Sequence, residues 1–319
     1  WTIIIFAYYV LATLLPIDKL IGRFYPIFGA SLLIMAAGIA GAMLFGHSAD
    51  MPEVFRATDF ANHDPKGYPI FPMMFVSIAC GAVSGFHSTQ SPLMARCLTN
   101  ERQGRRIFYG AMVAEGIVAL IWAAAAGTFF GGIDGLNAFA AEHPNTASDV
   151  VSIVSNQWLG IVGGILAVLG VVAAPITSGD TALRSARLIV ADLLGWEQKS
   201  IRHRLFIAVP LFVLVFVLLQ VDFAAVWRYF SWSNQTIAAI VLWTGAVYLA
   251  REHRCYWICL IPAVFMTMVT ASYIFIAPEG LNLAVGSRWI AYVIAGIVDI
   301  AVTTAFFFFL RRLQQNKPT

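Results

Sequence analysis

Residues 84–92 read Ser-Gly-Phe-His-Ser-Thr-Gln-Ser-Pro, at the end of an apolar run that begins near residue 70. Five consecutive polar side chains, His87 to Ser91, sweep a full helical turn, so a continuous membrane helix would turn some of them to lipid. Pro92 also removes the amide that would bond the carbonyl of Ser88. A helix broken at this run and lining a polar cavity removes both conflicts, because irregular backbone survives at membrane depth only against protein or water. A histidine in such a cavity can hold a substrate carboxylate when protonated, or relay a proton. Ser84, Gly85, His87, Ser88, Thr89 and Gln90 are therefore the candidate substrate-binding residues. Ser77, Gly81 and Gly85 recur at i, i+4 and i+8, a small-residue face that admits a neighbouring helix or a ligand. A second reading stays open: a helix started at Ile70 puts His87 about 25 Å down a core about 30 Å thick, where it could end as an ordinary loop.

Residues 173–187, "AAPITSGDTALRSAR", form a second constellation. Pro175 frees a carbonyl, and Thr177 and Ser178 offer adjacent hydroxyls, the oxygen ligands a hard cation such as Na⁺ takes. Asp180 carries a proton in the alternative reading, or pairs with Arg184 one turn on. Glu115 and Asp299 each fall near the middle of an apolar segment. A carboxylate there costs at least about 2.5–3.5 kcal/mol on insertion scales, so it should face protein or water and often marks a proton path. Glu115 joins Thr177, Ser178 and Asp180 as a candidate coupling residue, and Asp299 with Thr303 reads as a helix–helix contact. In "VWRYFSWSNQT", 226–236, Trp227, Tyr229 and Trp232 read as interface anchors in an interrupted span.

These residues need membrane helices to position them. Of 319 residues 60% are hydrophobic and 12% charged, against about 25% charged in a soluble domain, with a mean hydropathy of +0.78. Apolar runs near twenty residues long, without alternation, predict an all-α polytopic protein. Nine spans are expected: 1–15, 24–46, 70–92, 107–130, 158–180, 205–219, 224–250, 256–277 and 288–310, with 70–92 and 224–250 interrupted. Residues 47–69 and 131–157 are long loops, the latter helical enough to lie across the outer mouth. Sixteen of the 20 Lys and Arg residues fall in alternate loops, so that face, with the C-terminus, is cytoplasmic. The chain opens inside an apolar run without an initiator Met, so earlier helices are expected to be missing. Its 4 cysteines make no paired set and read as reduced thiols. No HExxH, GxSxG or Cys/His set is present, so no metal, cofactor or enzyme is expected, and the net charge of +3 does not call for nucleic acid.

The block "DPKGYPIFPMMFVSIACGAVSGFHSTQSPLMARCLTNE" (64–101), with "LLPIDKLIGRFYPIFGA" (14–30) and "APITSGDTALRSARLIVAD" (174–192), closely resembles the signature of the carbon starvation protein A family of bacterial membrane transporters. The resemblance implies secondary uptake of peptides or pyruvate at the inner membrane. It also implies a LeuT-type fold of the amino acid–polyamine–organocation superfamily, with two inverted five-helix repeats and broken helices. On that scheme 1–46 holds the last two helices of a first repeat and 47–69 is a periplasmic loop. Residues 70–250 are the second repeat, including the outer loop 131–157, and 251–319 add two accessory helices, through which oligomers remain open, and a cytoplasmic tail. Thr177 and Ser178 then match the cation site of Na⁺-coupled relatives, while likeness to pyruvate–proton symporters favours H⁺. The alternatives are Na⁺ coupling and a nutrient sensor that does not transport.

Overall fold

A computed structural model describes residues 7–9, 18–51, 69–143, 146–197, 200–221, 223–282 and 288–315. The described chain is helical throughout, and it divides into two compact units, 1–61 with 109–215, and 62–108 with 216–319. The first unit contains α1 (Asp18–Gly46), α4 (Gly110–Phe129), α5 (Ile133–Glu142), α6 (Thr146–Ala167), α7 (Ala173–Leu194) and most of α8 (Ile201–Leu218). The second contains α2 (Ile70–Ala82), α3 (Gly85–Ala95), α9 (Phe223–Arg251), α10 (Trp257–Ile276) and α11 (Arg288–Gln315).

Among the described residues six helices are long and apolar enough to cross a membrane: Pro26–Gly46, Glu101–Phe129, Thr146–Val171, Ile201–Leu218, Trp257–Ile276 and Arg288–Leu313. Their outward residues are large and apolar. Trp289, Ile258 and Phe308 are all exposed, while Ala263, Ala291 and Ala295 are fully buried. That inside-out distribution is the one lipid favours: bulky side chains meet acyl tails, and small ones let helix backbones approach. The chain is a multi-pass α-helical membrane protein. The expected first span, 1–15, lies outside the described residues apart from 7–9, as does the loop over 52–68.

In the first unit Met35, Ile39 and Met43 of α1, spaced four apart on one face, pack with Ala125 of α4 and Val150, Val154 and Ala167 of α6. Thr146 Oγ1 donates to the His143 carbonyl at 2.7 Å where α6 begins. Gly160 (φ 63°, ψ −153°) then kinks that helix, a conformation that favours glycine because a Cβ would strain it. Within 131–157 the described residues are largely helical, α5 plus the start of α6, which ends close to the kink. Just before Pro175 the helix widens into a π-type turn, Val168–Val172, a local adjustment of the kind that accommodates a proline.

In the second unit Met73 and Val76 of α2, Ala239 of α9, Met266, Val269 and Tyr273 of α10 and Ala291 of α11 share one core. Polar struts fix the register. Trp232 Nε1 donates to the Thr270 carbonyl at 3.0 Å, and Trp243 Nε1 to Thr267 Oγ1 at 2.9 Å. The Tyr292 hydroxyl donates to the Phe71 carbonyl at 2.7 Å. Past the end of α10, Glu279, with its side chain 6% exposed, sits 3.0 Å from Arg228 Nε of α9. It also accepts from the Tyr273 hydroxyl at 2.5 Å, and the Tyr229 hydroxyl donates to its carbonyl.

The second unit corrects two expectations. Helix α9 runs unbroken through the polar stretch of 226–236. Ser231 Oγ donates to the Trp227 carbonyl and Thr236 Oγ1 to that of Trp232, each at 2.9 Å, so the hydroxyls satisfy themselves along the helix instead of opening it. Trp227 and Tyr229 are exposed as interface anchors would be, but Trp232 is half-buried and is a strut to α10.

Candidate functional site

The segment 70–92 is broken, but not where the polar run predicts. Helix α2 ends at Ala82 and α3 begins at Gly85, with Ser84 extended between them (φ −110°, ψ 126°). His87, Ser88, Thr89 and Gln90 lie on regular helix in the opening turns of α3, and Pro92 sits further along the same helix. The expectation that His87 lies on non-helical backbone is therefore corrected. The physical reason is capping: Ser84 Oγ accepts from the Phe86 amide at 3.3 Å, and the Ser84 carbonyl accepts from the His87 amide at 3.2 Å. These are bonds of a helix N-terminus, whose first amides have no partner inside the helix.

The displacement matters for depth. Phe71 is extended (φ −98°, ψ 125°), so the helical part of α2 starts after it. Ser84 then lies about 18 Å of helix rise beyond Pro72, less than the thickness of a hydrocarbon core, about 30 Å. A break inside a span would place the positive end of α3 and the carbonyl end of α2 where hydrocarbon would otherwise exclude charge.

The break is completed from α9. Asn234, 5% exposed, accepts from the Phe86 amide through Oδ1 at 2.8 Å, and its Nδ2 donates to Ser84 Oγ at 3.4 Å. Gln235 beside it is fully buried. A Cβ on Gly85 would lie 2.2 Å from the Asn234 carbonyl oxygen and 2.8 Å from Ile237 Cβ. Gly85 is thus a seat for the backbone of α9, the helix rather than the ligand of the two options its small size admits. The reading of 226–236 by its aromatic residues passed over Asn234 and Gln235. Two adjacent amides inside a helix are the signal that marks them, since each needs a hydrogen-bond partner when buried.

The hydroxyls of the polar run are turned inward. Ser88 Oγ donates to the Gly85 carbonyl at 2.5 Å and Thr89 Oγ1 to that of Phe86 at 2.9 Å. Gln90 Nε2 donates to Thr89 Oγ1 at 3.4 Å, while its Oε1 is buried with no hydrogen-bond partner among the described residues. His87 is half-buried one turn from Gln90.

Glu115, Thr177, Ser178 and Asp180 belong to the first unit. Glu115 is half-buried on α4, and Ser178 is exposed on α7 next to Gly179, against which the Tyr9 phenol is seated. The side chains of Thr177 and Asp180 lie outside the described residues. Asp299, half-buried on α11, has a buried Oδ1 without a hydrogen-bond partner among the described residues. A groove of about 770 Å³ follows the α6 kink between Ser148 and Val171 and touches none of the candidate site residues.

Apolar helices, a mid-span break clipped by a buried amide and a polar run just beyond it define a membrane protein with a discontinuous helix, an arrangement that solute carriers use. The sequence profile described as carbon starvation protein CstA matches residues 1–166 and 159–273, so the chain belongs to that family. An uncharacterized membrane protein of Haemophilus influenzae is 46% identical over 166 residues, covering 48% of this chain and 42% of the relative. The peptide transporter CstA of Escherichia coli K12 is 24% identical over 298 residues, covering 72% of this chain and 42% of the relative. The pyruvate/proton symporter BtsT of the same strain is 39% identical over 82 residues, covering 25% of this chain and 11% of the relative. The chain thus spans less than half the length of each of these three. No solved structure matches.

Proposed function

We propose that the chain belongs to a secondary active transporter of the bacterial inner membrane that imports a small organic nutrient, a peptide or pyruvate, driven by H⁺ rather than Na⁺. The observation that carries this reading is the break at Ser84–Gly85, held by Asn234 and followed by His87 and Gln90, which brings a helix N-terminus and polar groups together within an apolar segment. The dipole of α3 favours an anionic group at such an end, and peptide and pyruvate both carry a carboxylate. The names of the Escherichia coli relatives, a peptide transporter and a pyruvate/proton symporter, support the same solutes. Nine spans in a LeuT-type pair of inverted repeats, with 70–250 as the second repeat, the basic loops cytoplasmic and the C-terminus inside, are the architecture that accompanies it. Glu115 and Asp180 are the proton-carrying candidates, and Thr177 with Ser178 the cation site of the Na⁺ alternative.

The test is uptake of labelled pyruvate and of a labelled dipeptide into proteoliposomes holding the full-length protein, with and without an inside-alkaline pH gradient. One of the two solutes should accumulate and should do so faster with the gradient. Uptake of both at the rate of protein-free vesicles rejects the reading, and gradient-independent uptake that requires Na⁺ reverses the choice of ion.

A further inference from the structure

Resting on the reading of the break as the transport site, we propose that Asn234 is its positioning residue, the side chain that keeps the Phe86 amide away from Ala82. In a continuous helix the Phe86 N–H donates to the carbonyl four residues earlier, that of Ala82. Here the same N–H donates to Asn234 Oδ1 at 2.8 Å, closer than its 3.3 Å contact with Ser84 Oγ. Asn234 Nδ2 holds Ser84 Oγ at 3.4 Å, so one amide engages both sides of the cap. Annealing the helix would break both of these bonds of a residue that is 5% exposed, where little water can replace them. The steric contact acts in the same direction. Gly85 carries no Cβ, and one placed there would meet the Asn234 carbonyl oxygen at 2.2 Å, Ile237 Cβ at 2.8 Å and the Ala238 nitrogen at 3.1 Å. One turn of α9 therefore supplies both the seat and the clip.

The experiment compares wild type, Asn234→Leu and Asn234→Asp in the full-length protein, reading amide hydrogen exchange by segment and uptake kinetics. Asn234→Leu should speed exchange over 83–88 by about tenfold and raise the apparent KM by about tenfold, the size of one lost hydrogen bond. Exchange over 257–276, in α10, should stay unchanged. Asn234→Asp keeps an acceptor for the Phe86 amide, so both readouts should return towards wild type. Wild-type exchange and KM in Asn234→Leu overturn the proposal. So does an Asp variant that behaves as the Leu variant does, or a Leu variant that speeds exchange equally over 83–88 and 257–276. A wild-type protein that takes up neither solute sinks the transport reading instead, while the exchange over 83–88 still reports on Asn234.

Discussion

His87→Ala in the full-length protein should leave the fold intact and weaken solute uptake by about 10- to 150-fold. His87 lies in the first turns of α3, half-buried and beside the break, where a cationic imidazole adds a charge-assisted bond to a carboxylate already favoured by the helix end. A hydrogen bond to a charged group contributes about 1.5–3 kcal/mol, and every 1.4 kcal/mol is about tenfold in affinity, which sets the range. His87→Gln should lose less, because its amide donates a hydrogen bond without the charge. The comparison is the apparent KM of the three proteins at matched expression, with thermal unfolding as the check on folding. Uptake by His87→Ala at the wild-type KM would remove the histidine from the site.

The second large effect concerns coupling. A gradient of about one pH unit corresponds to about 1.4 kcal/mol per proton, which sustains about tenfold accumulation of a solute carried with one proton. Wild type should reach about that ratio, and Asp180→Asn or Glu115→Gln should reduce it to equilibration, with entry still saturable. Removing Na⁺ should change neither. The opposite pattern, accumulation that needs Na⁺, is lost in Thr177→Ala or Ser178→Ala and survives both carboxylate changes, assigns the site on α7 to Na⁺.

Much of the second unit's local character was legible. The polar run of 87–91 and Pro92, inside an apolar segment, point to a break in 70–92, because exposed polar side chains and an unbonded carbonyl are costly in hydrocarbon. The position of the break was not legible. It depends on Asn234, about 150 residues further along the chain, whose amide makes Ser84 and Phe86 the better place for a helix to restart. A local reading assigns the irregularity to the polar residues themselves, yet Ser88 and Thr89 bond back to their own helix and need no break. The same misassignment occurs in α9, where Ser231 and Thr236 satisfy themselves and the helix continues. Trp232 shows the limit of composition: an indole near a span end resembles an interface anchor until the Thr270 carbonyl takes its N–H. Span counting has a related limit. Helices α2 and α3, of 13 and 11 residues, are each too short to cross alone, and hydropathy joins them because it does not register a two-residue gap.

The most direct test of the break as the solute site is protection of a thiol placed there. Gln90→Cys, in a full-length protein whose native cysteines, Cys97, Cys255 and Cys259 among them, are replaced, would be alkylated by N-ethylmaleimide with and without the transported solute. If the solute binds at the break, saturating solute should slow alkylation by about tenfold or more, as occupancy of the site approaches completion, and a solute that is not taken up should not. Equal alkylation rates with and without a solute that this variant still transports would place the binding site elsewhere.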